Sequence, residues 1–232
     1  MIIAICGNVG SGKTISAVRI MHRRDMQSFV NFAVKLPKTE RIKKEYIITE
    51  EIKRVKKTGE PVKEKKVNWE FWNDYCSNHD GFDIVLDEVH NLVHSRMAMS
   101  KHNTLMTMWF SQIRKILGNS EKNHIFLISQ RLNRIDIAFR DLIDTIIYCR
   151  KVELKTKVET KTARGKKKLN LTYIIQYVFK GEDCMDKYLM FRNNPRMARK
   201  GKVYTRYFFL ANPFYKYYDS YQLINFGEDS YL

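Results

Sequence analysis

Near the start of the chain, Gly7-Asn8-Val9-Gly10-Ser11-Gly12-Lys13-Thr14 has residue types and spacing suited to holding phosphate. Glycines let the backbone wrap until several N–H groups face one anion. A helix opening near Gly12 would add the positive end of its dipole. Lys13 would reach the β and γ phosphates, and Thr14 would offer its hydroxyl to Mg²⁺. The chemistry this predicts is binding of Mg²⁺ and ATP.

A second constellation lies in "FDIVLDEVH" (82–90), an apolar run ending in Asp87 and Glu88. Parallel sheets bind ligands beyond the carboxyl ends of their strands, which is where this pair would stand. Asp87 suits Mg²⁺, and Glu88 suits the orientation or deprotonation of an attacking water. Paired acids there point to hydrolysis rather than binding alone, although two surface acids closing a strand would read the same way. A third piece is "HIFLISQR" (124–131), a buried strand that ends abruptly in Ser129, Gln130 and Arg131. An amide donates and accepts at once, so Gln130 could touch a γ-phosphate oxygen and a water together. A residue that merely caps the next turn is the plainer reading. His90 and His94 stand four apart but lack the H-E-x-x-H order and a third ligand, so no zinc site is expected.

The elements that must position these residues alternate. "MIIAIC" reads as a buried parallel strand, and "ISAVRIMHRR" has helical spacing. "SFVNFAVKL" (28–36) reads as a strand and "NWEFWNDYCSN" (68–78) as a helix capped by Asn68. The segment 103–118 reads as an amphipathic helix between Asn103 and Gly118, 135–144 as a short helix, and "TIIYCR" (145–150) as a strand. This order predicts an α/β fold, a mainly parallel sheet flanked by helices; with the phosphate loop and the strand ending in Gln130 it resembles the RecA-like, additional-strand class of phosphate-loop ATPases. The core would span 1–150. Residues 38–66, dense in Lys and Glu, would be an exposed insertion, partly helical around "ITEEIKRVKK". Residues 151–232 would form a C-terminal extension containing a β-hairpin about "TARGK" and a strand within 202–211.

Charge suggests the partner. The 232 residues carry 42 Lys and Arg against 25 Asp and Glu, a formal net charge of +17. Such an excess favours a polyanion, with nucleic acid ahead of an anionic membrane surface. In the hairpin, Lys151, Lys155, Lys157, Lys161, Arg164, Lys166, Lys167 and Lys168 face only Glu153 and Glu159. They could follow a phosphate backbone without reading sequence. Lysines also guard exposed strand edges. "RNNPRMARKGK" (192–202) is a second basic patch. The aromatic residues that gather after it suit core or subunit contact, and base stacking is the alternative. The four cysteines form no C-x-x-C pair, which fits reduced thiols in an intracellular protein. No apolar window approaches the 18 or so residues a membrane helix needs.

Together, "IIAICGNVGSGKT", "FDIVLDEVH" and "FLISQR…ID…FRDLIDTIIYCRK" resemble the FtsK–HerA group of ATPases, over roughly residues 1–150. Within that group the chain is similar to the Zot-like (zonula occludens toxin-like) proteins of filamentous phages and to packaging ATPases of archaeal viruses. "FYKYYDSYQ" (214–222) is similar to a segment that ends many Zot-like domains. The resemblance implies a ring-forming ATPase, commonly hexameric, that moves viral DNA in the host cytoplasm or at the virion. It implies Lys13 and Thr14 for phosphate and magnesium, Asp87 and Glu88 for magnesium and water, and Gln130 as sensor. A neighbouring subunit would supply an arginine, with Arg114 first and Arg131 and Arg140 as alternatives. Zot-like proteins usually carry a membrane helix, and its lack favours a packaging motor. An assembly ATPase acting through a capsid, coat or membrane protein is the second reading, and a nucleotide kinase the third.

Overall fold

The computed structural model describes residues 1–54, 61–89, 101–116, 122–135, 137–156 and 169–218. β1 (Ile2–Cys6) is buried along its whole length. Ile2, Ala4 and Cys6 pack into one apolar layer, and Ile3 and Ile5 into the other. A strand covered on both faces has no need of polar alternation, which is why the run is continuous. α1 (Lys13–Arg24) follows the loop and packs Ile15, Val18 and Met21 into the second layer. Next come β2 (Gln27–Val30), β3 (Thr39–Arg41), α2 (Lys44–Ile47), β4 (Ile48–Arg54), β5 (Pro61–Val67) and α3 (Trp69–Asn78). β6 (Phe82–Leu86), α4 (Lys101–Ile116), β7 (His124–Ser129), α5 (Ile137–Arg140) and β8 (Thr145–Thr156) continue the alternation. β9 (Leu169–Lys180), α6 (Cys184–Asn193), α7 (Pro195–Lys200) and β10 (Thr205–Leu210) complete it.

The main sheet has the order β10-β9-β8-β1-β7-β6-β2-β3. From β8 to β3 all neighbours are parallel, while β9 and β10 are antiparallel. It is a mixed α/β sheet with helices on both faces. β7 lies between β1 and β6, and the register pairs Cys6 with Ser129 and Leu86 with Leu127. The carboxyl ends of these three strands therefore finish side by side, and the loops after them share one edge.

The charged stretch departs from expectation. The segment read as partly helical is a β-hairpin, β4 paired with β5. Glu and Lys favour helix locally, but here Lys66 pairs with Glu51 and Lys63 with Glu50 across the two strands. The hairpin is rooted by Ile47, Ile48 and Val67, all buried. Tyr46 stacks on Phe71 at 4.3 Å, and both rings meet the buried Phe29 edge-on. Such ring pairs add about 0.5–1.5 kcal/mol each beyond area burial.

Other boundaries move less. Asn68 caps α3 by accepting from the Phe71 N–H at 3.2 Å. α4 begins by Lys101, so Asn103 lies within it; Gly118 lies outside the described residues. β8 passes Arg150 without a break, pairing with β9 along its whole length and with β1 over Thr145–Tyr148. The basic patch at 192–202 is mostly helical, in α6 and α7, with Asn194 capping α7.

Candidate nucleotide site

Gly7, Gly10 and Gly12 all have positive φ, at 148°, 70° and 88°. Two of them also meet close neighbours. A Cβ on Gly7 would lie 2.6 Å from the Cys149 carbonyl oxygen, and one on Gly12 would lie 2.3 Å from Ile174 Cδ1. The loop therefore lies tight against β8 and β9, which is a second reason for glycine beyond backbone freedom. The Ser11 N–H donates to the Asn8 carbonyl at 3.1 Å, closing the turn. Lys13 is buried and donates from Nζ to the same carbonyl at 3.1 Å. Behind the loop, Ser16 Oγ donates to the Gly12 carbonyl and Cys149 Sγ donates to Ser16.

β6 delivers the acids. Thr14 Oγ1 donates to Asp87 Oδ2 at 2.7 Å, and the Glu88 N–H donates to Asp87 Oδ1 at 2.8 Å. Burial, the largest influence, pushes the Asp87 carboxyl up to about 6; the Thr14 hydroxyl opposes the shift and the Glu88 charge adds to it. Glu88 has φ 50°, an uncommon conformation for a residue with a side chain. It costs of order 1–3 kcal/mol and is typical of functional loops. From the tip of β7, Gln130 Nε2 reaches Glu88 Oε1 at 3.4 Å. A buried polar residue absent from the sequence reading completes the arrangement. Asn31, just past β2, donates to the Asp87 carbonyl at 2.9 Å and accepts from the Asp87 N–H at 2.7 Å. Its signal was the one Gln130 gave, an apolar run ("SFVN") ending in an amide.

The structure thus brings Lys13, Thr14, Asp87, Glu88 and Gln130 to one strand edge. The candidate arginines stand differently. Arg131 is exposed and leads into a 3₁₀ helix at Leu132–Arg134, while Arg140 ends α5 half-buried. Arg114 lies on α4, and nothing of its side chain is described. Of the basic hairpin, Lys151 is exposed. The side chain of Lys155 and all of Lys157, Lys161, Arg164, Lys166, Lys167 and Lys168 lie outside the described residues, as do His90 and His94. Among the described residues, no cluster of three or more His, Cys, Asp or Glu could hold a metal.

The residues present fit a magnesium–nucleotide. Ser11 Oγ is buried and has no hydrogen-bond partner among the described residues, within a loop whose glycines at positive φ leave the backbone free to wrap an anion. Thr14 and Asp87 place a hydroxyl and a carboxylate oxygen together, the hard donors magnesium prefers.

A sequence profile of the zonular occludens toxin (Zot) family matches residues 1–180. The chain belongs to the Zot family. The N-terminal domain of zonular occludens toxin from Neisseria meningitidis is 18% identical to this Zot-family chain, with 94% of this chain and 98% of that one covered and a TM-score of 0.47. The genome packaging NTPase B204 from Sulfolobus turreted icosahedral virus 2, in complex with ATP-gammaS, is 9% identical over 78% of this chain and 93% of that one, TM-score 0.41. B204 from Sulfolobus turreted icosahedral virus, a DNA-packaging ATPase, is 11% identical over 79% and 94%, TM-score 0.39. No curated protein matches the chain. Among the described residues of this Zot-family chain, no helix is long and apolar enough to cross a membrane.

Proposed function

We propose that the chain is an ATP-hydrolysing motor, of the RecA-like additional-strand class, that translocates DNA for a virus or mobile element, most simply in genome packaging. One observation carries the reading: Thr14 at the start of α1, Asp87 and Glu88 after β6 and Gln130 after β7 form one connected polar chain. A structural cap would need one such group; a hydrolytic site needs all of them.

The roles follow from position. Gly7–Thr14 would bind the phosphates through backbone N–H groups, with Lys13 turning from the Asn8 carbonyl toward the anion. Thr14 Oγ1 and Asp87 would hold Mg²⁺, which supplies charge neutralisation on the phosphates when bound. Glu88, held by its backbone bond to Asp87, would orient water and take its proton. Gln130, already touching Glu88, would sense the γ-phosphate and pass its loss to β7. Active rings, hexameric by resemblance, would complete each site with a neighbour's arginine, Arg114 first.

The net charge of +17 supports DNA as the polyanion, with the 155–168 segment as its contact. Zot family membership supports a second reading, an assembly ATPase that works mainly through a coat or capsid protein. One experiment separates them. Steady-state ATPase activity is measured with and without DNA across a salt series. The motor reading expects stimulation that fades as salt rises, while Glu88→Gln binds ATP without turnover. A rate indifferent to every nucleic acid would remove the motor reading.

A further inference from the structure

The sheet face opposite α1 is covered unevenly where β8, β9 and β10 run together. Register places Tyr148, Tyr177 and Arg206 in one cross-strand row and Arg150, Ile175 and Phe208 in the next. Successive rows two residues apart share a face. The first row meets Phe191 of α6, with Tyr148 and Tyr177 5.8 Å and 4.8 Å from its ring. Past it the cover thins. Ile175 and Tyr173 are half-buried, and Phe208 is 72% exposed on the edge strand.

The surroundings of Phe208 are cationic. Arg206 is its same-face neighbour on β10, roughly 7 Å along the strand. Arg150 lies in its own row, two strands away, roughly 10 Å. Arg192 sits over Tyr148, its guanidinium carbon 5.4 Å from the ring centroid. All three arginines are exposed, and no ion pair involves them among the described residues. The three strands bring no acid to these rows: Glu153 alternates to the opposite face, where it pairs with Lys151 at 2.6 Å.

We propose that this three-stranded face binds single-stranded nucleic acid, with a base stacked on Phe208 and phosphates held by Arg150, Arg192 and Arg206. The proposal rests on the DNA-handling reading and adds a strand type and a contact point distinct from the 155–168 segment. An exposed ring offers nothing to a duplex, whose bases are already stacked, but is a platform for an unpaired base. Arginine suits the rim because its planar fork binds phosphate in a fixed geometry. A second copy of the chain is the poorer occupant, since it would bring its own +17 charge to a patch with no acid to receive it.

The test is fluorescence anisotropy without nucleotide, using labelled oligo(dT) and a duplex of equal length. A second oligonucleotide carries 2-aminopurine, whose fluorescence falls on stacking. Phe208→Ala should weaken single-strand binding about tenfold, leave duplex binding and basal ATPase unchanged, and abolish the 2-aminopurine quench. Phe208→Trp should restore both, and Arg206→Ala should flatten the salt dependence of single-strand binding. Unaltered oligo(dT) affinity in Phe208→Ala would overturn the proposal while leaving the motor reading intact. So would loss of self-association in that variant with no change in DNA binding. A wild-type chain that binds neither DNA, and whose hydrolysis neither stimulates, would take down both.

Discussion

Thr14 and Asp87, 73 positions apart in sequence, meet across a 2.7 Å hydrogen bond. The contact joins the start of α1 to the tip of β6, and it exists because β6 and β1 end at the same edge with only β7 between them. The hydroxyl donates to the carboxylate of a residue that is only 3% exposed. Asn31 fixes the Asp87 backbone from the other side. The carboxylate is thus held rigid and poorly solvated, a state that favours either a proton or a cation.

That state makes Asp87 a source of pH-dependent instability. Its carboxyl is pushed from 3.8 to about 6, so the folded chain holds the proton more tightly than the unfolded one. Its contribution to stability is complete below about pH 4 and lost as pH rises through about 6. Asp87→Asn should therefore exceed the wild type by a margin that opens between these limits and levels near 3 kcal/mol. Urea unfolding in EDTA from pH 4 to 8 measures it. Magnesium with ATP should narrow the gap by stabilising only the wild type.

Gln130→Ala should leave ATP affinity within about threefold, because the amide contacts no part of the Gly7–Thr14 loop. Turnover should fall by about 10²-fold, the scale of losing one positioned polar group. Comparing kcat with KM checks this. A rise in KM alone would make Gln130 a binding residue rather than a sensor.

The loop glycines should separate by neighbour. Gly7→Ala drives a methyl against the Cys149 backbone carbonyl, which cannot turn aside, whereas a Cβ on Gly10 meets nothing within 4 Å. Both lie at positive φ, which costs a residue with a side chain about 1–3 kcal/mol. Only Gly7→Ala should also disturb the β1–β8 pairing. Thermal unfolding should place it several degrees below Gly10→Ala, and both should lose nucleotide affinity.

Much of this site was legible because its residues interrupt local patterns. The glycine loop breaks a β-branched run, and Gln130 and the Asp87–Glu88 pair end apolar strands. The same pattern holds at Asn31, but its partner is the Asp87 backbone, which no side-chain motif announces. The strand order β1-β7-β6 is a long-range property, reached by resemblance rather than by periodicity. The β4–β5 hairpin was hidden for a physical reason. Its Glu and Lys residues have helical propensity, and cross-strand ion pairs such as the diagonal Lys66–Glu51 contact arise only once residues 15 apart are brought together by the pairing.

Asp83 is a buried carboxyl inside the apolar strand β6, away from the nucleotide edge. Its carboxylate is fully buried and takes Arg24 Nε at 2.9 Å and 3.1 Å on its two oxygens. Burial still pushes its pKa up, with Arg24 opposing. His124, 3.9 Å from the same carboxylate, is pushed down to about 4 by burial and by Arg24. Arg24→Ala strands the acid, which should cost about 3–5 kcal/mol. Arg24→Met with Asp83→Leu removes both charges and should recover most of that loss. In Arg24→Ala the His124 ring loses a repelling cation and keeps its carboxylate, so its titration followed by NMR should move up from about 4. A His124 titration unmoved by Arg24→Ala would assign its depressed pKa to burial alone and make Arg24 a packing residue for α1.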